Sequence, residues 1–193
     1  LHHQVSQQPN VQMLPSTRIA KVLAGQSETM LMLDSDEVVS CRLLVGADGA
    51  NSAIRKYANF PLTFKDYGHT AIVATIKTAA PHGKVARQVF TPTGPLALLP
   101  LSDPNLCSIV WSQNSQQADE LLALSNSDFA KALQVAIEGD VGEIGVESAR
   151  MHFPLTMRYA RQWLSDGLVI IGDAAHTIHP LAGQGANLGL QDA

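Results

Sequence analysis

The sequence has 193 residues, enough for one domain or two small ones; 46% are apolar and 16% charged, a balance that excludes intrinsic disorder. Against 13 basic residues stand 17 acidic ones, a net charge of −4, and no Lys/Arg run occurs, which excludes a nucleic-acid footprint. No apolar run approaches the roughly 18 residues of a membrane-spanning helix, and the opening LHHQVSQQPN carries neither the cationic start nor the apolar stretch of a signal peptide.

The two cysteines, Cys41 and Cys107, are too few for a disulfide framework and lack CxxC partners. They are expected to be reduced, buried thiols of a cytoplasmic protein, without zinc.

In chain order, residues 1–8 read as the tail of a helix. Short strands are expected at 10–14, 18–23, 29–33 and 38–45, separated by polar turns around Gly25 and Asp34-Ser35-Asp36. The end of the last, Arg42-Leu43-Leu44-Val45-Gly46, is the continuous apolar run of a strand buried in a parallel sheet. A helix should follow over 50–58, ended by Pro61. The pattern then becomes strand-rich, with strands at 69–78, 85–91, 96–101 and 106–113 and turn clusters between them, an antiparallel meander. Helices are predicted at 115–123 and 127–138; in the second, Phe129, Ala132, Leu133 and Ala136 share one face. A strand is expected at 142–153. Residues 167–172 return to the buried parallel-strand pattern. The sequence opens without Met and stops inside a helical pattern with no cap, so it reads as an internal piece of a longer chain.

Two glycine–aspartate junctions carry chemistry. In the first, Gly46-Ala47-Asp48-Gly49 ends a strand and Ala50-Asn51-Ser52-Ala53-Ile54-Arg55 opens a helix. Glycines there permit close backbone approach, and the helix start offers free N–H groups to an anion such as a pyrophosphate. Asp48 and Ser52 could equally serve as local caps. In the second, Leu168-Val169-Ile170-Ile171 runs into Gly172-Asp173, and His179-Pro180 leads to a glycine-dense turn and a helix with small residues. An acid at the carboxyl end of a parallel strand is placed to accept from a sugar hydroxyl. The helix dipole would favour negative charge on a planar ring lying against its first turn. His176 and His179 have no third ligand at suitable spacing, so no metal is expected; their expected role is to position this turn, with a general base toward a substrate as the alternative.

Together the junctions resemble the flavin-dependent aromatic hydroxylases, whose two signatures are a "DG" motif, here Asp48-Gly49, and a later "GD" motif, here Gly172-Asp173. The run Pro180-x-x-Gly183-Gln184-Gly185-Ala186-Asn187-x-Gly189-x-x-Asp192-Ala193 extends the match. Within that family the sequence resembles the ubiquinone-biosynthesis hydroxylases of the UbiH/UbiF/VisC group. Phe64-Lys65-Asp66-Tyr67, Ala86-Arg87-Gln88-Val89-Phe90, Leu98-Leu99-Pro100-Leu101 and Phe153-Pro154-Leu155 support it, and residues 73–111 look most like the VisC-type 2-octaprenylphenol hydroxylases.

The resemblance implies an α/β fold with an α+β inserted layer: parts of an FAD-binding domain at 1–65 and 161–193 around an antiparallel β-sheet substrate domain at 66–160. The family's N-terminal GxGxxG unit and its C-terminal helices are not in this sequence, so activity is expected of a parent protein rather than of this piece. The implied activity is FAD-dependent hydroxylation of the aromatic ring of a polyprenylphenol in ubiquinone biosynthesis. NAD(P)H and O2 would be the cosubstrates and a flavin C4a-hydroperoxide the oxygen donor. The cofactor would carry the hard chemistry, so no protein catalytic residue is expected. By the same resemblance, Asp48, Gly49 and Arg55 would line the flavin and nicotinamide side of the cleft. Gly172 and Asp173 would bind the ribityl or ribose part of FAD, and Pro180, Gly183, Gln184, Gly185, Ala186 and Asn187 would meet the isoalloxazine ring. Val73, Val89, Leu98 and Ile109 are expected on a strand face that accepts a prenyl tail, unless they are plain core. The implied partners are the prenylated phenol and other ubiquinone-biosynthesis proteins, with membrane proximity only through the substrate. The competing expectations are a related flavoenzyme, either another aromatic hydroxylase or a prenyl reductase, and a non-catalytic substrate-binding or docking module.

Overall fold

The computed structural model describes residues 2–25, 28–137, 141–178 and 184–193. The chain divides into two compact units. The first comprises residues 1–63, 158–177 and 183–193; the second comprises 64–157 and 178–182.

The first unit begins with a short helix, α1 (His2–Ser6), and an antiparallel sheet of β1 (Ile19–Ala24), β2 (Thr29–Leu33) and β3 (Val38–Cys41) in that order. β4 (Leu44–Gly46) and α2 (Ala53–Tyr57) follow. The chain then enters the second unit along β5 (Leu62–Thr78), continuing through β6 (Arg87–Thr91), β7 (Gly94–Pro100), β8 (Leu106–Asn114), α3 (Ser115–Ala123), α4 (Asn126–Ile137) and β9 (Ile144–Val146). It returns along β10 (Met151–Ala160) to β11 (Leu164–Ser165), β12 (Leu168–Ile170), a 3-10 turn (Gly172–Ala174), β13 (His176–Thr177) and α5 (Gly185–Asp192).

Several expected elements change in detail. Residues 10–14 form no strand: Pro9 and Pro15 flank them, Pro lacks a ladder donor, and Val11 and Leu14 are exposed. The strand expected over 38–45 is two strands in two sheets. β3 pairs antiparallel with β2, whereas β4 pairs parallel with β12, Leu168 opposite Leu44 and Ile170 opposite Gly46. The expected helix over 50–58 shortens to α2, because Ser52 caps it by accepting from the Arg55 N–H at 2.9 Å. The strand expected over 142–153 also divides. β9 pairs with β5, and the chain then leaves the ladder where the Ser148 hydroxyl accepts from the Thr75 N–H. Cys41 is half-buried rather than buried; Cys107 is buried, and both are free thiols.

In the second unit the strand order is β10-β5-β8-β7-β6. Alternation along the strands fixes two faces. Ile72, Ala74 and Ile76 of β5, Leu96 and Leu98 of β7, and Cys107, Ile109 and Trp111 of β8 form one core face with Phe129, Leu133 and Ile137 of α4. Residues directly opposite in an antiparallel ladder share a face. Val73, Val110 and Ala97 therefore line up in one row on the other face. α3 is capped by the Asn114 side chain, which accepts from the Gln117 N–H. At its other end Arg150 donates to the Leu121 and Leu124 carbonyls, at 3.0 and 2.7 Å, with its guanidinium over the Phe129 ring. Gly94, at φ +146°, lies so close to β8 that a Cβ would stand 2.2 Å from the Ser112 carbonyl oxygen.

The first unit has its own core of Leu44, Ile54, Phe60, Ala160, Leu168, Ile170, Ala174 and Ala175. No helix among the described residues is long and apolar enough to cross a membrane.

Candidate cofactor site

The parallel pair β4–β12 sets the site in the first unit. β4 ends in Gly46, and β12 gives way after Ile171 to a turn that opens on Gly172; the Ile171 N–H donates to the Gly46 carbonyl at 3.0 Å, so the two turns leave the sheet side by side. A Cβ on Gly46 would meet Ile54 at 2.8 Å and Ile170 at 3.0 Å. Glycine thus lets α2 pack directly on the strand pair.

After β4, Gly49 takes φ +81° and faces open space. The Asp48 carboxylate turns back onto α2 and accepts from the N–H groups of Ala53 at 2.6 Å and Ile54 at 3.2 Å. Burial pushes its pKa up, but the Ser52 hydroxyl and these backbone donors outweigh that and hold it below the ordinary carboxylate value. Of the two roles open to Asp48, this geometry makes it a cap for α2.

Arg55 was expected to line the cofactor cleft. Instead it is buried, 5% exposed. One guanidinium nitrogen donates to the Ala174 carbonyl at 2.7 Å and another to the Ala50 carbonyl at 2.8 Å. It acts as a clamp between the DG junction and the GD turn. A helix of five residues closing on the core explains this: its inward face has no room for a solvated cation, and only backbone carbonyls are in reach. Arg158, which sequence reasoning did not single out, supports the same turn by donating to the Ala50 carbonyl at 3.1 Å and to the Asn51 side-chain oxygen at 2.8 Å.

After β12, Gly172 adopts φ +59° and opens the 3-10 turn. Asp173, its second residue, is exposed and makes no hydrogen bond among the described residues. The turn is held from α5. Asp192 accepts at one oxygen from the Gly172 N–H at 2.8 Å and from the His176 ring nitrogen Nε2 at 2.7 Å. The Gly172 N–H, as the largest influence, and His176 draw the Asp192 pKa below its ordinary value, against the opposing effect of burial. The His176 ring lies 5.1 Å from that of Trp163. β13 completes the turn by pairing His176 with Tyr159 and Thr177 with Arg158. Gly189 of α5 packs on this turn, where a Cβ would come within 3.2 Å of the Gly172 Cα.

Gln184, at the N-cap of α5, makes no side-chain cap bond. Ala186 and Asn187 are exposed in the first turn, and a Cβ on Gly185 would meet nothing within 4 Å. Among the described residues no side chain caps these first-turn N–H groups, and Asn187 is exposed beside them. Pro180, Gly183 and His179 lie outside the described residues.

The four residues expected to receive a prenyl tail do not share a face. Leu98 and Ile109 are core residues, 2% and 0% exposed, and Val89, opposite Leu96, points to that same face. Val73 alone lies on the other face, opposite Val110. Both faces of these strands are apolar, so alternation alone does not say which one is covered by helices.

This donor set fits FAD: a carboxylate after a parallel strand with no partner among the described residues, two glycine turns allowing close approach, and a helix start that no described side chain caps. The match to the FAD binding domain model runs over residues 2–193, and the chain belongs to this family of FAD-binding domains. Among curated proteins it is similar to the mitochondrial ubiquinone biosynthesis monooxygenase COQ6 of Drosophila melanogaster, 36% identical over 95% of this chain and 46% of that protein. It is also similar to the ubiquinone hydroxylase UbiL of Rhodospirillum rubrum, 37% identical over 91% of this chain and 40% of that one. The 3-demethoxyubiquinol 3-hydroxylase of Escherichia coli is 38% identical over 84% and 41%. The chain spans less than half the length of each of the three. Among solved structures, PqsL of Pseudomonas aeruginosa, a probable FAD-dependent monooxygenase, matches with a TM-score of 0.81 at 25% identity, over 99% of this chain and 55% of that one. The flavin-dependent halogenase CmlS shares the fold, with a TM-score of 0.71 at 17% identity over 91% and 34%.

Proposed function

We propose that the protein is an FAD-dependent monooxygenase that hydroxylates the aromatic ring of a polyprenylphenol in ubiquinone biosynthesis, with NAD(P)H and O2 as cosubstrates. Similar identity to ubiquinone hydroxylases of different names supports the pathway and the reaction class. The structural observation that carries the cofactor reading is Asp173. Asp48 and Asp192 are both engaged by backbone N–H groups, whereas Asp173 stands free at the carboxyl end of the parallel pair.

When bound, FAD would supply the redox chemistry and oxygen activation that the hydroxylation needs. The residues of this chain position it. Asp173 accepts from a ribityl or ribose hydroxyl. The first-turn N–H groups of α5 and the Asn187 amide meet the ring edge, where the helix dipole stabilises negative charge. Asp48, Arg55, Asp192 and His176 hold the two turns rather than touch the cofactor. The half-buried row Val73–Val110–Ala97 offers the apolar strip for a prenyl tail, a role that Leu98 and Ile109 give up to the core.

The test is an FAD titration followed by flavin absorbance, with the protein and its Asp173→Ala variant. A loss of at least about ten-fold in affinity is expected, the size of one charge-assisted hydrogen bond. Unchanged affinity overturns the assignment. With NAD(P)H and a prenylphenol, a product heavier by one oxygen supports the hydroxylase, and one heavier by two hydrogens means a prenyl reductase. A protein that takes up no flavin but binds the prenylphenol is a docking module.

A further inference from the structure

A cavity of about 360 Å³ lies in the second unit between the end of β8 and α3, bounded by Thr93, Trp111, Gln113, Gln117, Glu120, Leu121 and Leu124. None of these residues takes part in the function proposed above. We propose that it binds a small neutral molecule carrying a hydroxyl group on an apolar body.

Trp111 and Gln113 stand two residues apart on β8, so both point to the face that α3 covers. They are 4% and 3% exposed, and the Trp111 Nε1–H and the Gln113 side-chain oxygen are both buried without a hydrogen-bond partner. Buried polar groups are almost always paired, and leaving one unpaired carries the full desolvation cost. Two such atoms on neighbouring inward positions of one strand, both on residues bounding one cavity, mark a place built for a missing group.

The chemistry of that group follows from the two orphans. One is a donor and needs an acceptor; the other is an acceptor and needs a donor. A hydroxyl answers both. A carboxylate only accepts and would face Glu120. An ammonium only donates and leaves the indole N–H unanswered. A hydrocarbon answers neither. Leu121, Leu124 and the Trp111 ring supply the apolar wall. That wall is fixed in advance, because Arg150 binds the carbonyls of Leu121 and Leu124 and stacks on Phe129. The volume lies within the roughly 300–1,000 Å³ usual for small-molecule sites.

The test uses nitrogen-15 indole spectra of the unmodified protein, with the Trp111 signal identified by its persistence in Trp163→Phe. Benzyl alcohol, toluene, benzoate and benzylammonium serve as probes of one shape. Benzyl alcohol should shift the Trp111 indole resonance saturably. Toluene should bind roughly five-fold more weakly, the loss expected for one to two neutral hydrogen bonds, and the two ions should leave the signal in place. Gln113→Leu should weaken benzyl alcohol by a similar factor and leave toluene unchanged. The probe series needs no variant in the cavity, so a misfolded Gln113→Leu does not remove the test. No saturable shift with benzyl alcohol means the two groups are served by water alone, and equal binding of toluene means they recognise nothing; either result overturns the proposal.

Discussion

Removing the Arg55 guanidinium should loosen both glycine turns at once, because this one side chain bonds to the backbone of both, at Ala50 and at Ala174. Arg55→Met keeps most of the buried stem and deletes the two hydrogen bonds. The Ala174 carbonyl then loses its 2.7 Å donor, whereas the Ala50 carbonyl keeps the Arg158 donor at 3.1 Å. One buried acceptor left alone costs about 1–3 kcal/mol. The second, still partly satisfied, adds less, and release of a buried charge returns some of the loss. The expected destabilisation is about 2–3 kcal/mol. Arg55→Ala also removes the packed stem and should reach about 3–5 kcal/mol. Urea unfolding measures this in a Trp111→Phe background, where the remaining Trp163, in contact with His176, reports on the first unit. The shift should appear in the midpoint with an unchanged slope. Arg158→Met should be non-additive with Arg55→Met, since both side chains meet at the Ala50 carbonyl. A cost for Arg55→Met below about 0.5 kcal/mol would refute the clamp and return this side chain to the cofactor-lining role.

Asp192→Asn should destabilise the first unit near neutral pH, with an effect that vanishes in acid. The folded carboxyl has a lowered pKa, so its contribution is present above the unfolded value of about 3.9 and is lost as pH falls through the folded value. Unfolding midpoints of protein and variant should therefore converge below about pH 4, and a constant difference down to pH 2 would contradict this. Gly94→Ala should cost about 3 kcal/mol or more, because its Cβ would overlap the Ser112 carbonyl in a left-handed backbone conformation; the Trp111 signal would report it. Ser125→Ala should cost about 1 kcal/mol, since the Ser125 hydroxyl caps α4 by accepting from the Asp128 N–H, and thermal unfolding of the second unit would show it.

What the sequence made legible is what local pattern controls. Leu168-Val169-Ile170 reads as a buried strand because β-branched and apolar residues run without a break, and β12 lies there. The Gly-Asp turns read as turns for the same local reason. Pairing partners were not legible. β13 is two residues long and has no period, so only its ladder with Arg158 and Tyr159 reveals it. Arg55 reads as a surface cation on a short helix, and its burial depends on the Ala174 carbonyl, 119 residues away in sequence. Asp192 was visible as part of a motif, but its bond to Gly172 depends on how the chain doubles back. The parity of Val73 against Leu98 and Ile109 is set by cross-strand register, which apolar residues on both faces disguise.

The two bonds of Asp192 also change the mechanics of the segment they enclose. Gly172 and Asp192 stand 20 positions apart and are fastened together, so the end of α5 is tied back to the turn that follows β12. Closing a loop of that length costs on the order of 3 kcal/mol of chain entropy, and every residue proposed to meet the flavin in the GD half lies on it. Opening this bond would release the end of α5 from the turn, while Ala174, Ala175 and β13 stay tied to Arg55, Ala160 and β10. Exchange of the Gly172 amide proton is therefore a direct clock for how often the end of α5 lets go of the turn.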